Sequence, residues 1–467
     1  SLFVGTSSPH CRGVPIVLRL SITRTLAPPS AAYLATVLPA GPPPMIIASQ
    51  SYSIFGNGFA KIDFCRNNKY HKLPSLKRVV HAIILTAGEG ARLGSWTGNR
   101  PKGMIPIGNR PILEYLVRGV VAAGIKEINM VVGYGKNSVM SHFGDGSRFK
   151  AKINYKFQEE RTGTLDALKI GMNGIESDFI LIPGDNYVSE DSFVKLRDCK
   201  DPALLSGKAK RWSKWGEIEF EKSRPKITFD NPEAYGRIHF TGIAKLNIGL
   251  ANKLIEAGGR HIGESLQAIL LGNQFEVLEA FNWHNIVYPW DLISGNRMAL
   301  NSNLLYRSGK IEKNVIIKGD VSVGKGTIIR SGTYLSGPIS IGEGCDIGPN
   351  TVIGGSVSLG DNVTVGSFTE LSDTAIMQNC EIGSYSSLKG TIIGDNSSIG
   401  SHVVAIPMTR DILYFDQTFS VSDRGAMIGD DCNIGSRAIL QGGSILMSKS
   451  TVGEGEFYNA DFQGDSI

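Results

Sequence analysis

From Ile311 to Leu371 an aliphatic residue recurs every six positions without a miss: Ile311, Ile317, Val323, Ile329, Leu335, Ile341, Ile347, Ile353, Leu359, Val365 and Leu371. The register slips by one, resumes at Ile382 and Leu388, then at Ile393 and Ile399, and returns after an interruption at Ile428, Ile434, Leu440, Leu446 and Val452. Glycine follows many of these positions, as in IGEGCDIGPNTV. The pattern predicts a parallel β-helix over 311–467, in which each aliphatic side chain points into a narrow prism while glycines and small polar residues turn its corners. Such coils bury little alone and gain stability by stacking, so a rigid rod is expected. The interruption Pro407–Gly425 leaves the register and is expected to protrude as a loop, with Tyr414, Phe415 and Phe419 pointing to a contact surface.

Between Val79 and about Asn301 short apolar runs alternate with helical stretches: VVHAIILTA, PILEYLVRGVVAAG, EINMVVG, SVMSHFG, INYKFQ, TLDALKIGMNG and DFILIPGD. Strand and helix in alternation predict an α/β domain at 79–302 with a Rossmann-like, mostly parallel or mixed sheet covered on both faces. A short linker is expected at 303–310. Ligands in such sheets bind beyond the carboxyl ends of the strands, so the loops after Ala87, Gln158 and Pro183 should converge on one site.

Residues 1–78 carry no sustained period of helix or strand, and are expected to be a disordered leader or an artefact of upstream reading. This region also carries the basic charge. It holds nine Lys or Arg against the single acid Asp63, so the net charge of +5 for all 467 residues leaves the remainder at −3. That balance, with no basic cluster, argues against nucleic acid as a partner. No apolar run approaches the roughly 18 residues that span a bilayer, so no membrane partner is expected either. The six cysteines (Cys11, Cys65, Cys199, Cys345, Cys380, Cys432) show no metal-ligand spacing, which fits reduced thiols and a cytoplasmic location.

The candidate chemistry sits in ILTAGEGARLGSWTGNRPKGMIPI, from Ile84 to Ile107. Gly88 and Gly90 form a turn after a buried strand where backbone N–H groups can approach phosphate oxygens, because no Cβ stands in the way. Arg92 adds a planar fork of donors and Lys102 a compact second positive charge. The spacing excludes a P-loop, which needs GK[ST], and a dinucleotide loop, which needs GxGxxG. Asp185, where the strand in DFILIPGD ends, is placed at the top of the sheet as a hard oxygen ligand for Mg²⁺.

G-E-G-A-R-L followed by T-x-x-x-P-K is similar to the signature of the sugar-1-phosphate nucleotidylyltransferases, and QEERTGTLDAL, PGDN and YPWDLISGNRMALN resemble further motifs of members that carry a β-helix tail. The resemblance covers about 79–467. It implies a left-handed β-helix and an enzyme that condenses UTP or dTTP with a sugar 1-phosphate, releasing pyrophosphate. It implies Arg92 and Lys102 as catalytic groups, and Ala87, Gly88, Glu89, Gly90, Arg92, Lys102, Gln158, Gly163 and Thr164 as nucleotide ligands, with Gln158 and Gly163 reading the base. Asp185 and Asn285 would hold Mg²⁺. Gly216, Asp230, Asn231 and Thr241 would lie on the sugar side, and flat prism faces suggest a homo-oligomer, a trimer or a multiple of one.

Two departures bear on the sugar. The family's Glu-Lys-Pro reads Asp230-Asn231-Pro232 here, which removes a positive charge, and its Asn-Thr-Gly or Asn-Ala-Gly reads Phe240-Thr241-Gly242. Two alternatives follow: a bifunctional form whose β-helix also transfers acetyl from acetyl-CoA, and a nucleotide-sugar-binding scaffold with reduced turnover. For acetyl transfer the relatives use a histidine base, but Ser386 and Ser387 stand at the comparable place; His402, at a coil corner, is the only histidine beyond 310.

Overall fold

The computed structural model describes residues 81–460 apart from 99, 161, 209–214, 222, 230–236, 260 and 303–304, and upstream only the backbone of two short strands. The chain divides into two compact units, Ser1–Pro74 and Ser75–Ile467. In the first, Ser53–Phe55 pairs antiparallel with Gly58–Ala60, a hairpin that the sequence pattern does not announce. The expectation of a leader at 1–78 otherwise lies outside the described residues.

In the second unit a nine-stranded mixed sheet forms the α/β half. Four strands, Lys152–Phe157, Glu127–Val132, His81–Thr86 and Phe179–Pro183, run parallel in that order. Ile238–Leu246 then pairs antiparallel with Phe179–Pro183 and carries the remaining strands. Successive side chains of a strand point to opposite faces. Accordingly Ala82 and Ile84 pack with Leu113, Leu116 and Val120 of the helix Ile112–Ala122, whereas Ile83 packs with Leu168 of the helix Thr164–Gly171 on the other face. Helices on both faces bury the inner parallel strands Glu127–Val132, His81–Thr86 and Phe179–Pro183, which explains their largely apolar sequence, whereas the edge strand Lys152–Phe157 is only partly buried.

Beyond this half the chain winds into a parallel β-helix of hexapeptide repeats with three sheets, two of eight strands and one of seven. Residues eighteen apart, such as Ile311, Ile329, Ile347 and Val365, stack in register. Two coils are one residue shorter, with Thr364 above Glu381 and Glu381 above Ser398; this is the slip in the sequence period. The coil begins before the periodicity does, because Tyr306, Ser308 and Lys310 already bond to the backbone at Val323 and Thr327. Corners take non-glycine residues in the left-handed region, where Asn is the best tolerated; Asn350, Asn362, Asn379 and Asn396 all occur there. Cys345, Cys380 and Cys432 point inwards, and burial pushes their thiols up, Cys380 to about 12.

The three faces of the prism differ. One, with Thr364, Glu381, Ser398 and Asn433 outward, is polar and exposed. A second exposes Ile316, Val352, Ile439 and Phe457, flanked by a corner ladder in which Phe368, Tyr385 and His402 stack with centroids 5.1 and 5.0 Å apart. The third is covered by the α/β half. There Ser322, Ser340 and Ser358 are buried, small enough to admit the helix Asp291–Leu300. Asn296 accepts from Ser358 Oγ (2.7 Å) and donates to Ser356 O, and Asn109 donates to Leu359 O (2.6 Å).

The segment 407–425 does not protrude as expected. Met408–Tyr414 and Gln417–Arg424 form an antiparallel hairpin that folds back onto the α/β half, burying Ile412, Tyr414 and Val421 against Trp290, Ile286 and Leu93. Its aromatic residues make the covering possible: Phe419 lies 4.7 Å from the Tyr288 ring and 5.2 Å from that of Trp290, while Phe415 remains exposed.

One ionic cluster contributes stability that depends on pH. Glu114 is buried and receives Arg118 Nε at 2.7 Å and His142 Nε2 at 2.8 Å. Burial alone would raise its pKa, but the hydrogen bonds and charges of His142 and Arg118 outweigh that and hold it at about 2, below the ordinary 4.5. A depressed carboxyl contributes its stability fully above pH 4.5 and loses it as pH falls towards 2. Glu114→Gln is therefore expected to cost about 3 kcal/mol at pH 7. Urea unfolding at pH 7 and pH 3 should show the gap between variant and wild type closing at the lower pH; a gap that is the same at both values would refute the assignment.

Candidate active site

The turn after the strand His81–Thr86 opens into a cavity of about 340 Å³ at the carboxyl ends of the parallel strands. Three loops line it. The first brings Ala87, Gly88, Gly90, Lys102 and Gly103, the second Gln158, Gly163 and Thr164, the third Pro183, Gly184 and Asp185. Leu85, Thr86, Ala167, Trp215 and His261 complete the wall.

The two glycines of the first loop play different parts. Gly90 has φ +82°, and a Cβ on it would lie 2.6 Å from Lys102 Cβ, so the lysine stem crosses directly over the turn. At Gly88 a Cβ would meet nothing within 4 Å: it would project into open space where a ligand can approach the backbone. Lys102 then ends 3.0 Å from Asp185 Oδ2, with both side chains largely buried (12% and 13% exposed). Asp185 Oδ1 faces the side-chain amides of Asn285 (3.3 Å) and Asn186 (3.4 Å). Asn285 gets there because Trp283–Asn285 pairs with Asn186–Val188, which sets Asn285 opposite Asn186.

Gln158 lines the cavity, and its Nε2 donates to Gly163 O (3.1 Å) and Asp166 Oδ2 (3.4 Å), so the amide also fixes the turn at Gly163. Thr164 Oγ1 accepts from Ile262 N, tying the second loop to the segment that presents His261. The structure thus gathers Ala87, Gly88, Gly90, Lys102, Gln158, Gly163, Thr164 and Asp185 around one space, with Asn285 behind the carboxylate. Glu89, partly buried, and Arg92, exposed at the start of the 3₁₀ segment Ala91–Thr97, follow the same turn but are not among the residues that line the cavity.

The sugar-side expectations fare differently. Asp230 and Asn231 lie outside the described residues. Gly216 has φ +83° and is packed so that a Cβ would sit 2.4 Å from Ile227, so its need for glycine is structural. Thr241 is wholly buried and its hydroxyl donates to Leu205 O, which corrects the expectation of a sugar contact: the hydroxyl holds two strands together. Trp215 and His261 were missed; each reaches the cavity from a distant strand or helix end and no local motif marks it. Gly103 and Gly184, by contrast, stand next to recognised motif residues.

Oxygen ligands for a divalent cation are present: the Asp185 carboxylate, already facing the Lys102 ammonium, and the neighbouring Asn285 amide. Among the described residues no group of three or more His, Cys, Asp or Glu could hold a metal alone. One carboxylate and an amide suit Mg²⁺, which takes few protein ligands and completes its shell with water and substrate phosphates.

Comparison with known proteins agrees with the geometry. Residues 81–227 match the nucleotidyl transferase family, 335–409 the GMPPB C-terminal domain and 425–455 the hexapeptide repeat of succinyl-transferase. A bifunctional protein GlmU of Methanococcus maripaludis is 33% identical over 257 residues, covering 53% of this chain and 61% of the relative. A glucose-1-phosphate thymidylyltransferase of Streptomyces griseus is 25% identical, covering 54% and 74%. A bifunctional sugar-1-phosphate nucleotidylyltransferase/acetyltransferase of Sulfurisphaera tokodaii is 28% identical, covering 54% and 64%. The match to the first of these relatives spans about three fifths of that protein's length.

Proposed function

We propose that this chain, whose residues 81–227 match the nucleotidyl transferase family, condenses UTP or dTTP with a sugar 1-phosphate to give a nucleotide sugar and pyrophosphate. The observation that carries the reading is the Lys102–Asp185 pair, 3.0 Å apart, facing the open backbone at Gly88 within one cavity. In this reaction a phosphate oxygen of the sugar attacks the α-phosphorus in line. The new P–O bond forms as the bond to the departing pyrophosphate breaks, and no protein nucleophile takes part. The Gly88 turn holds phosphate oxygens by backbone N–H groups, Lys102 neutralises charge that gathers on the leaving group, and Arg92, on the segment that leaves the same turn, supplies a further positive charge to the phosphates. Gln158 and Gly163 present amide and backbone groups to the base, and Trp215 and His261 close the wall.

Asp185 and Asn285 would hold Mg²⁺, which when bound neutralises charge on the substrate phosphates. We also propose a homo-oligomer through the β-helix, supported by the exposed apolar face with Ile316, Val352, Phe368 and Phe457. Acetyl transfer gains no comparable support. Ser386 is buried with its hydroxyl on Gly400 O, and His402 sits at a corner with φ +61° and its ring stacked on Tyr385.

The test is a pyrophosphate-release assay with UTP, dTTP and a panel of hexose 1-phosphates in the presence of Mg²⁺. Release that depends on both substrates and stops with chelator is expected. Silence across the whole panel would defeat the reading.

A further inference from the structure

The segment between the two phosphate-loop glycines and Lys102 is seated on the β-helix. Three attachments hold it, each more than 250 residues away in sequence. Tyr414 Oη, at the tip of the inserted hairpin, donates to Arg92 O at 3.1 Å. Ser448 N donates to Ser95 Oγ (2.9 Å) and Ser448 Oγ donates to Ser95 O (3.0 Å). The Arg100 guanidinium lies between Asp395 Oδ2 (2.8 Å) and Asp430 Oδ2 (2.5 Å). The fit is close on both sides: a Cβ on Gly94 would come within 2.9 Å of the Tyr414 hydroxyl, and one on Gly429 within 2.7 Å of Ser95 Cβ.

The segment is anchored further along by wholly buried Leu93 and Trp96 and by the Tyr134 hydroxyl, which donates to Thr97 O and Gly98 O (2.9 Å each), and at Arg92 itself by Tyr414. It is a 3₁₀ stretch broken at Gly94 (φ 54°, ψ −122°), and 3₁₀ turns have poor internal hydrogen-bond geometry. Arg92 is the first exposed charged side chain after the Gly-rich turn, so the place of its guanidinium depends on where its own backbone is pinned. We infer that Tyr414 and Asp430 are positioning residues for Arg92: the β-helix completes the phosphate site of the α/β half by fixing the backbone that carries that arginine. The inference rests on the proposed nucleotidyl transfer, and it makes the rod part of the active site and not an appendage. A displacement of about 1 Å at a group that contacts the transition state is enough to cost up to 10²-fold in rate.

The experiment uses the full chain. Tyr414→Phe keeps the ring in its aromatic cluster and removes only the hydroxyl; Asp430→Asn keeps the shape and weakens the hold on Arg100. Each is measured for kcat and KM in pyrophosphate release, alone and combined with Arg92→Ala, and for amide hydrogen exchange over 91–98. The expected result for Tyr414→Phe is a fall in kcat of about tenfold with KM for the sugar phosphate within twofold. A further change of less than twofold is expected when Arg92 is already alanine, because both changes remove the same contribution. Exchange over 91–98 should rise at least tenfold. If Tyr414→Phe fails to fold, Asp430→Asn carries the same expectations. Equal losses with and without Arg92 would mean that the contacts merely stabilise the fold, and would overturn the inference, as would unchanged exchange in both variants. Should the wild type release no pyrophosphate at all, the functional reading falls, and exchange alone then decides whether the rod pins the segment.

Discussion

Lys102→Ala is expected to lower kcat by two to three orders of magnitude, the range typical of removing one preorganised charge from a site that stabilises developing negative charge. The ammonium is held in place before any substrate arrives: its stem crosses Gly90 and its end meets Asp185 at 3.0 Å, largely out of solvent. In low-dielectric surroundings a fixed charge acts more strongly than the same charge in water. Because the interaction strengthens as pyrophosphate departs, kcat should fall more than KM for the nucleotide rises. Lys102→Arg should recover only part of the loss, since the stem over Gly90 is the same but a broad planar guanidinium does not fit the largely buried place of a compact ammonium 3.0 Å from Asp185. Steady-state pyrophosphate release, with a thermal melt to confirm folding, measures this; a loss smaller than fivefold in a folded variant would remove Lys102 from the chemistry.

A chain cut after residue 302 should not fold as a discrete domain. The α/β half buries Leu93, Trp96, Ile107, Ile112 and Ile293 in one cluster with Met377, Ile392, Ile412, Met427 and Ile445 of the β-helix. All five side chains on the α/β side are at most 3% exposed, and the cut removes the β-helix side of their cluster. At roughly 1.5–3 kcal/mol for each large apolar side chain, the loss is on the order of 10 kcal/mol, comparable with the whole stability of an ordinary domain. The newly exposed patch should also drive association. Size-exclusion chromatography and calorimetry are expected to show aggregate and no cooperative transition. A monomer melting within a few degrees of the full chain would mean that the two halves merely touch.

The same cluster marks where reading the chain stopped. The hexapeptide register was legible because inward positions of a β-helix repeat locally, and each needs only to be aliphatic. The strand-turn-glycine logic at Gly88 and Gly90 was legible for a related reason: a phosphate turn makes its demands on neighbouring residues. The segment 407–425 was not. Out of register and rich in aromatic residues, it pointed to a contact surface but not to which one, because its partners Tyr288 and Trp290 stand over a hundred residues away. Thr241, read as a sugar contact, proved to be a hydroxyl tying two strands, because burial depends on what covers a strand and not on its own letters.

What the sequence determined by itself was whatever a short window must satisfy: the six-residue period, the alternation of strand and helix, and glycine where a Cβ cannot go. Only the tertiary structure decided that Lys102 meets Asp185, that Trp215 and His261 close the cavity, and that Arg92 is pinned from the far end of the chain by Tyr414. Those contacts join residues up to 322 positions apart. Their geometry comes from how distant strands and loops pack within the α/β half and how that half packs on the β-helix, which no local pattern encodes.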